Sequence, residues 1–229
     1  MTTVVILQPG YLPWLGFFDQ MLRSDVFVYF DDVQYDKHGW RNRNRIKSVT
    51  GPIWLTVPVL NAGRMGQKIN EVEIDNRAPW ARKHITAIAQ NYARAPYLKT
   101  YLPQLDALLT RHWDSLVELN LAVVELICNW IGIVRQIERS SCLRIEGGQS
   151  ERLLNICKNF QADRYLSGDS AQNYLDVKSF LHGGVQVEWQ AYRHPTYPQL
   201  HGEFIPYLSV LDLVMNVGEK SLDVLTGNP

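Results

Sequence analysis

The first part of the chain alternates between short apolar runs and an amphipathic segment, and this pattern constrains the fold more than any other feature. The run TVVILQ at residues 3–8 is rich in β-branched residues and stops at Pro9-Gly10, which predicts a buried strand. LGFFDQMLRS at 15–24 predicts a short helix, and VFVYFD at 26–31 predicts a second buried strand. A strand, a helix and a strand in so short a stretch form a βαβ unit, whose right-handed crossover implies a parallel sheet.

The rest of the chain continues this alternation. Further strands are predicted at 53–59, 71–74, 135–141, 164–168 and 185–192, and helices at 150–160, 170–176 and 208–218. From Ala78 to Ile133 the pattern is helical, which predicts a helical insertion or subdomain. Together the elements predict a three-layer α/β fold with a mostly parallel sheet, in which residues 1–229 form a single domain.

Composition and charge narrow the class of partners. The chain carries 23 basic and 23 acidic side chains, so no overall field draws it toward nucleic acid, and any anion site must be local. The most apolar segment, residues 116–134, contains Glu118 and Glu125, which argues against a membrane span. The N-terminus lacks a signal-peptide pattern, and the three cysteines have no metal-type spacing. We therefore expect a cytoplasmic protein that binds no nucleic acid.

Polar and aromatic residues follow the predicted strands, and in parallel α/β sheets ligands bind beyond the carboxyl ends of the strands. These side chains should therefore converge on one edge. The candidate substrate-binding residues are Gln8, Tyr11, Trp14, Gln34, Lys37, Trp40, Arg41, Asn42, Arg43, Ser167, Tyr197 and Gln199. The candidate catalytic residues are Asp31, Asp32, His38 and His194.

The acid and imidazole candidates each have more than one interpretation. A carboxylate at a strand end can act as a base, hold a metal or cap a turn, and adjacent Asp31 and Asp32 should point in opposite directions. His38 lies within the polar cluster, where it could transfer protons or be merely exposed. His194 and His201 lack a third ligand at a recognisable spacing, so no metal site is predicted.

The segment RNRNR at residues 41–45 alternates arginine with asparagine. In a strand or turn this alternation places guanidinium groups on one face, and such a face binds phosphate with paired hydrogen bonds. A solvated loop is the alternative, because runs of charge usually lie in water. The chain has no Walker, GxGxxG or GxSxG motif, and LSGDSA at 166–171 resembles a phosphate-binding turn only weakly, so no cofactor is predicted.

Four stretches of the chain resemble the WbqC-like family of bacterial proteins. They are LQPGYLPWLGFF, DDVQYDKHGWRNRNRI, ERLLNICKNFQADRYLSGDSAQNYLD and HPTYPQLHGEFIPYLSVLDLVMNVG, and the similarity covers nearly the whole chain. The resemblance implies a role in surface-polysaccharide or natural-product biosynthesis, with glycyl or other aminoacyl transfer to an amino sugar as the suggested reaction. A looser likeness to the nucleotidyltransferase-like branch of Rossmann-like folds rests on QPGYLPWLGFFDQML, although the paired histidines of that branch are missing.

Three functions are compatible with these features. The first is an acyl- or aminoacyltransferase, whose partners would be a small-molecule acceptor and an acyl donor activated on CoA or a carrier protein. The second is a nucleotidyltransferase or ATP-dependent ligase, in which Asp31 and Asp32 would hold magnesium. The third is a binding module without catalysis for a sugar nucleotide or an acyl carrier.

Overall fold

A computed structural model describes residues 1–227. The chain divides into two compact units, each built from separate segments. The first, which we call the sheet unit, comprises 1–8, 16–32 and 134–193, and the second, the hairpin unit, comprises 9–15, 33–133 and the chain from His194 onward. Whether the chain behaves as one domain stays a prediction.

The strands are β1 (Thr3–Leu7), β2 (Val26–Tyr29), β3 (Arg43–Ser48), β4 (Gly51–Thr56), β5 (Gln136–Arg139), β6 (Arg164–Ser167) and β7 (Gln186–Trp189). The helices are α1 (Leu15–Arg23), α2 (Trp80–Asn91), α3 (Leu98–Leu109), α4 (Leu116–Ile131), α5 (Ser140–Leu143), α6 (Gln149–Asn159), α7 (Val177–His182), α8 (Val210–Val217) and α9 (Ser221–Thr226). Within residues 1–227, none of the helices combines the length and the apolar character that crossing a membrane requires.

The sheet unit contains a five-stranded sheet in the order β5-β2-β1-β6-β7. Every neighbouring pair is parallel, with Val5 of β1 opposite Phe27 of β2 on one side and Leu166 of β6 on the other. The predicted parallel sheet is therefore confirmed. The strand order reverses between β1 and β6, and this reversal is the topological switch point at which open α/β sheets bind ligands.

Helices cover both faces of this sheet, which confirms the predicted three layers. On one face Val4 and Val28 pack with side chains of α6 and α7 in a buried cluster. On the other face the Phe17 ring of α1 lies 5.2 Å from the Phe27 ring of β2. Burying a side chain of this size contributes about 1.5–3 kcal/mol, so the alternation along each strand fixes which side faces which helix layer.

The hairpin unit contains an antiparallel pair, β3 and β4, and most of the helices of the segment predicted to be helical. Ser115 caps the start of helix α4, where its hydroxyl accepts a hydrogen bond from the amide of Glu118, and Gly132 caps the end in the left-handed conformation. Gly218 ends α8 and cannot carry a side chain, because a Cβ there would lie 2.3 Å from the ring of Tyr97.

Several local predictions were wrong. Residues 71–74 form no strand, because Glu71 is the last residue of a 3₁₀ turn at Ile69–Glu71 and only isolated bridges follow, at Glu73 and Ile74. Residues 170–176 form no α-helix, since the helical part is a 3₁₀ turn at Asp169–Asn173. The short helices α5, α7 and α9 were not predicted. These elements are too short for a hydrophobic period to show.

Candidate functional site

Gln8, Asp31, Asp32 and Ser167 belong to the sheet unit and follow β1, β2 and β6 or end them. Because these strands are parallel, the four residues lie at the same carboxyl edge of the sheet. Gln8 and Ser167 flank the switch point between β1 and β6. The structure therefore brings these four candidates to the edge where the sequence predicted them.

The carboxylate of Asp31 is fully buried and accepts several hydrogen bonds within the sheet unit. Arg139 Nε lies 2.9 Å from Asp31 Oδ2, and Ser141 Oγ donates to the same oxygen at 2.8 Å. The backbone amide of Ser141 donates to Asp31 Oδ1 at 3.0 Å, and the hydroxyl oxygen of Ser140 lies 3.2 Å from the same atom. These contacts tie the end of β2 to the first turn of α5, which favours a structural role for Asp31. Its catalytic role stays a prediction.

Asp32 is held in the same region by different partners. Arg152 forms an ion pair with Asp32 Oδ2, and the hydroxyl of Ser140 donates to Asp32 Oδ1 at 2.5 Å. Burial alone would raise the pKa of Asp32, but the hydrogen bonds from Arg152 and Ser140 outweigh burial and the pKa is lowered. Asp32 is therefore an anion at neutral pH whose oxygens are already engaged, and its role as a base stays a prediction.

The alternation in RNRNR places arginine and asparagine on opposite faces of the hairpin unit's β3. Asn42 and Asn44 are buried and donate to the carbonyls of Val57 and Leu12 at 2.8 and 2.6 Å. Arg43 and Arg45 are half-buried on the opposite face. The predicted guanidinium face therefore forms, and the amides anchor the other side of the strand.

Two tryptophans lie against this guanidinium face. The Arg43 guanidinium carbon is 4.7 Å from the centre of the Trp54 ring, and that of Arg45 is 5.4 Å from the Trp40 ring and 5.7 Å from the Trp54 ring. The two indole rings are 5.1 Å apart, and Trp40 and Trp54 are 45% and 47% exposed. Arg43 is fixed further by donating to the carbonyls of His38 and Gly39. We call Trp40, Arg43, Arg45 and Trp54 the Trp–Arg face.

Lys47 continues the row of cations but is 1% exposed. Its ammonium donates to Gln199 Oε1 at 3.0 Å and to the carbonyls of Gly202 and Glu203 at 3.4 and 2.5 Å. Gln199 in turn accepts from the amide of Ile205 at 2.9 Å. A buried ammonium with these acceptors fixes the irregular segment 199–205 over the hairpin.

A second buried group lies beside Lys47. The hydroxyl of Tyr92 donates to Asp212 Oδ1 at 2.7 Å and accepts a hydrogen bond from the Lys47 amide at 3.1 Å. Burial raises the pKa of Asp212 above its usual range, while hydrogen bonds from Tyr92 and Tyr197 oppose the change. Asp212 was recognised in the sequence as a motif residue but was not predicted as a site residue.

His194 is half-buried among aromatic rings of the hairpin unit. The ring centres of Tyr207, Phe204 and Tyr197 lie 5.1, 5.7 and 6.3 Å from that of the imidazole. His194 Nδ1 lies 2.8 Å from the carbonyl oxygen of Pro195. Because a carbonyl oxygen can only accept a hydrogen bond, Nδ1 must carry a proton. Burial lowers the pKa of His194, so the ring is neutral at pH 7 and carries its lone pair on Nε2.

Tyr207 links His194 to the Trp–Arg face. Its carbonyl accepts a hydrogen bond from Arg45 at 3.5 Å, and its ring lies 5.6 Å from that of Trp14. Tyr197 and Gln199 are neighbours of this group, since Gln199 Nε2 donates to the Tyr197 hydroxyl at 3.3 Å. The structure thus places six of the candidates in one region of the hairpin unit: Trp14, Trp40, Arg43, His194, Tyr197 and Gln199.

Other candidates in the hairpin unit are either buried in its core or exposed at its surface. Tyr11 is completely buried, and its hydroxyl contacts His84 Nδ1 at 2.9 Å, which makes it part of the core. Gln34 forms an isolated bridge with Lys68 and is exposed. Lys37 and His38 are exposed in a loop, where the amide of His38 donates to the Asp36 side chain. Their roles in binding and catalysis stay predictions.

Arg41, like Arg43 and Arg45, is half-buried. Burial lowers the pKa of its guanidinium, while the charge of Asp36 opposes that change. The Arg41 carbonyl accepts from the amide of Tyr11 at 3.1 Å and from Asn120 Nδ2 at 2.8 Å. The backbone of Arg41 thereby joins three segments of the hairpin unit.

The comparisons agree with the motifs. A model of the WbqC-like protein family matches residues 8–224. The chain belongs to the WbqC-like protein family. It is also similar to the uncharacterized protein Rv1507c of Mycobacterium tuberculosis, with 39% identity over 227 residues and 98% of each chain covered. No solved structure matches it.

Several residues that build the site of this WbqC-like chain were missed in the sequence. They are Arg45, Lys47, Trp54, His84, Tyr92, Asp212 and Tyr207. Arg45 is the last residue of RNRNR, and the alternation alone could have added it to the candidates. Lys47 lies two positions further along in the same alternation. Trp54 carried no local signal, because its contact with Arg45 depends on the cross-strand register that places the two opposite each other.

The carboxylates and imidazoles of the WbqC-like chain are dispersed. Among the described residues 1–227, no group of three or more His, Cys, Asp or Glu side chains is arranged to hold a metal ion. Cys128 and Cys157 are buried, and burial raises the pKa of each thiol to about 12, so neither is a thiolate at neutral pH.

Proposed function

We propose that the protein is an acyl- or aminoacyltransferase that joins an activated carbonyl to an amine or hydroxyl acceptor, such as that of an amino sugar. This reaction needs a base close to the nucleophile and groups that hold the acceptor. Membership of the WbqC-like family supports a biosynthetic transfer. His194 is the base in this proposal.

The observation that carries the proposal is the state of the His194 ring. Its half-buried surroundings favour a neutral imidazole and outweigh the opposing effect of the hydrogen bond to the Pro195 carbonyl. That hydrogen bond keeps the proton on Nδ1, so the lone pair of the neutral ring is on Nε2. A neutral imidazole at pH 7 can accept a proton, whereas a charged one cannot. The rings of Tyr197, Phe204 and Tyr207 hold the imidazole in one orientation.

The proposed step with a thioester donor balances without a cofactor. The acceptor nitrogen or oxygen attacks the thioester carbonyl carbon and gives its proton to His194 Nε2 as the new bond forms. Because Nε2 is buried, the aromatic rings around it must move aside for the acceptor to reach it. The tetrahedral intermediate then collapses, the carbon–sulfur bond breaks, and the imidazolium returns the proton to the departing thiolate. The products are an amide or ester and a free thiol.

The magnesium-dependent alternative has less support from the geometry. Its metal ligands would be Asp31 and Asp32, which form ion pairs with Arg139 and Arg152 and accept hydrogen bonds from Ser141 and Ser140, respectively. Binding a cation would require these contacts to break, at the cost of separating buried charges.

The test is a mass-spectrometric transfer assay with acyl and aminoacyl thioesters of CoA and carrier proteins as donors and UDP-linked amino sugars as acceptors. We expect His194→Gln to reduce kcat by about 10²–10⁴-fold, the usual contribution of a general base. Because burial lowers the pKa of His194, the acid limb of the wild-type pH profile should lie below about pH 6.5.

The matched control is His112→Gln, since His112 is an exposed histidine of the same unit that pairs with Asp114. Its turnover should equal that of the wild type. A His194→Gln variant that folds and keeps full turnover would exclude His194 as the base. A transfer that requires magnesium would favour the ligase or nucleotidyltransferase instead.

A further inference from the structure

The Trp–Arg face carries positive charge that the protein itself does not neutralise. Among residues 1–227, neither Arg43 nor Arg45 forms an ion pair with a carboxylate. By contrast, Arg64 and Arg77 of the same unit pair with Glu73 and Asp75. Two guanidinium groups on one side of a strand repel each other, and a bound anion would relieve that repulsion.

The two arginines are also held in place before any ligand binds. Arg43 donates to the carbonyls of His38 and Gly39, and Arg45 donates to that of Tyr207. Arg45 Nε is buried and, within the described part of the chain, makes no hydrogen bond. Preorganised guanidinium groups bind phosphate oxygens with paired hydrogen bonds and lose little conformational entropy in doing so.

The tryptophans add a surface for a flat ring. Nearly half of Trp40 and of Trp54 is open to solvent, although both rings are large and apolar. The indole rings lie directly beside the guanidinium groups, so a ligand that stacks on them brings its phosphates to Arg43 and Arg45.

We propose that the Trp–Arg face is a binding subsite for a nucleoside diphosphate. The base stacks on the exposed part of the Trp54 ring, which lies beside both guanidinium groups, and the two phosphates accept hydrogen bonds from Arg43 and Arg45. The role of this subsite rests on the proposed function: in the transferase it would recognise the nucleotide of a sugar-nucleotide acceptor. Its affinity for nucleotide can be measured without turnover.

The size of the face favours a single nucleotide over a nucleic-acid strand. Single-stranded nucleic acid needs a continuous track of cations and rings. Here the row of cations ends at Lys47, which is covered by segment 199–205 and committed to Gln199 and two carbonyls. The balance of 23 basic and 23 acidic residues supplies no wider positive field.

The experiment is isothermal titration calorimetry of the intact protein with UDP and ADP at low salt. We expect Trp54→Leu to weaken binding about five- to a hundredfold, the range for losing one base–aromatic stack. The double substitution Arg43→Gln/Arg45→Gln should weaken binding at least tenfold and reduce its dependence on salt. Trp113→Leu and Arg64→Gln are the matched controls and should bind like the wild type.

Inorganic pyrophosphate, farnesyl diphosphate and a short single-stranded RNA separate the alternatives. Equal affinity for pyrophosphate and UDP, with no effect of Trp54→Leu, would overturn the stacking subsite, as would tighter binding of farnesyl diphosphate. Much tighter binding of the RNA would replace the nucleotide with a nucleic-acid partner. Variants whose circular dichroism and Tm match the wild type, yet bind UDP with unchanged affinity, would also overturn the proposal.

The outcomes for binding and for transfer are independent. If UDP binds as expected but His194→Gln keeps full turnover, the proposed function fails and the subsite stands. If His194→Gln loses turnover but UDP does not bind, the subsite fails and the transferase stands.

Discussion

Among single residues, His84 shows how burial determines a protonation state. It is almost completely buried, its Nδ1 lies 2.9 Å from the hydroxyl of Tyr11, and it forms a further hydrogen bond with the Thr56 backbone. Neither neighbour carries a charge that could stabilise an imidazolium. Burial therefore lowers the pKa of His84 to about 4, and the ring stays neutral in the folded protein.

This shift predicts a specific loss of stability in acid. Below its ordinary pKa of about 6.5 the unfolded chain binds a proton at His84 that the folded chain does not bind. The free energy of unfolding should thus fall by about 3 kcal/mol from this group as the pH falls from about 7 to 4. His84→Gln, which keeps an acceptor for Tyr11, should remove that part of the pH dependence.

Urea unfolding of both proteins across this pH range measures the difference. Because every other titrating group is common to the two proteins, including Asp212 with its raised pKa, the difference isolates His84. Parallel curves of unfolding free energy against pH would show that His84 does not contribute.

The contribution of single residues could be predicted from the sequence only where a local pattern exists. The opposite orientation of Arg43 and Asn44 follows from the period of two in a strand. The burial of Lys47 breaks that pattern, since the same alternation predicts an exposed cation. Its partners are more than 150 positions further along the chain, and no local signal announces them.

At the scale of elements, the segment 199–205 keeps a fixed shape without being a helix or a strand. Lys47 supplies the donors, and Gln199 bridges the segment by accepting from Ile205 and donating to its carbonyl at 3.0 Å. His201 adopts the left-handed conformation, with φ of 62°, and contacts the Asn91 carbonyl. These hydrogen bonds take the place of regular secondary structure.

Removing the ammonium should loosen this segment. Lys47→Met keeps the length of the side chain but leaves the carbonyls of Gly202 and Glu203 without their donor. Hydrogen bonds to a charged group contribute about 1.5–3 kcal/mol to stability, so we expect a loss of stability in this range. Hydrogen exchange at the Ile205 amide should become faster.

Lys83→Met is the control, because Lys83 is exposed on α2. Hydrogen exchange measured by mass spectrometry on a peptide covering 199–205 decides the question. If Lys47→Met and Lys83→Met exchange at the same rate there, segment 199–205 does not depend on the ammonium.

The elements themselves were predictable to different degrees. The strands β1 and β2 and the helix between them were read from apolar runs, because a buried parallel strand is apolar along its whole length. The pairing of β3 with β4 was not predicted, since RNRIKS is mostly polar and becomes a strand only through its partner. Tertiary contacts decide such segments, and the period of the sequence does not.

For the whole molecule, the order of the strands in the parallel sheet depends on a chain that leaves the sheet unit and later returns to it. It leaves at Asp32 and returns at Val134, yet β2 and β5 on either side of this excursion are parallel neighbours. The order of the strands could not be predicted from the sequence, because the neighbouring strands β2 and β5 are separated by about a hundred residues. The length of this connection does not indicate which strands pair.

The buried carboxylate of Asp31 lies where β2, the last strand before this excursion, meets β5, the first strand after it. It pairs with Arg139 at the end of β5 and accepts from the amide and the hydroxyl of Ser141 at the start of α5. Asp31→Asn keeps the shape of the side chain but removes its charge. Since breaking one side of a buried ion pair is costly, we expect a loss of about 3 kcal/mol, which lowers Tm by about 6–12 °C.

Thermal unfolding of Asp31→Asn tests whether Asp31 stabilises the pairing of β2 with β5. Glu146→Gln is the control, because Glu146 is exposed. Transfer activity at a temperature where the variant remains folded then separates structure from chemistry. Lower Tm with full activity would show that Asp31 is structural, as its partners indicate. An unchanged Tm with lost activity would show instead that Asp31 acts on the substrate. In that case the pairing of β2 with β5 would be stabilised by the apolar core and the backbone hydrogen bonds, and the ion pair would add nothing measurable.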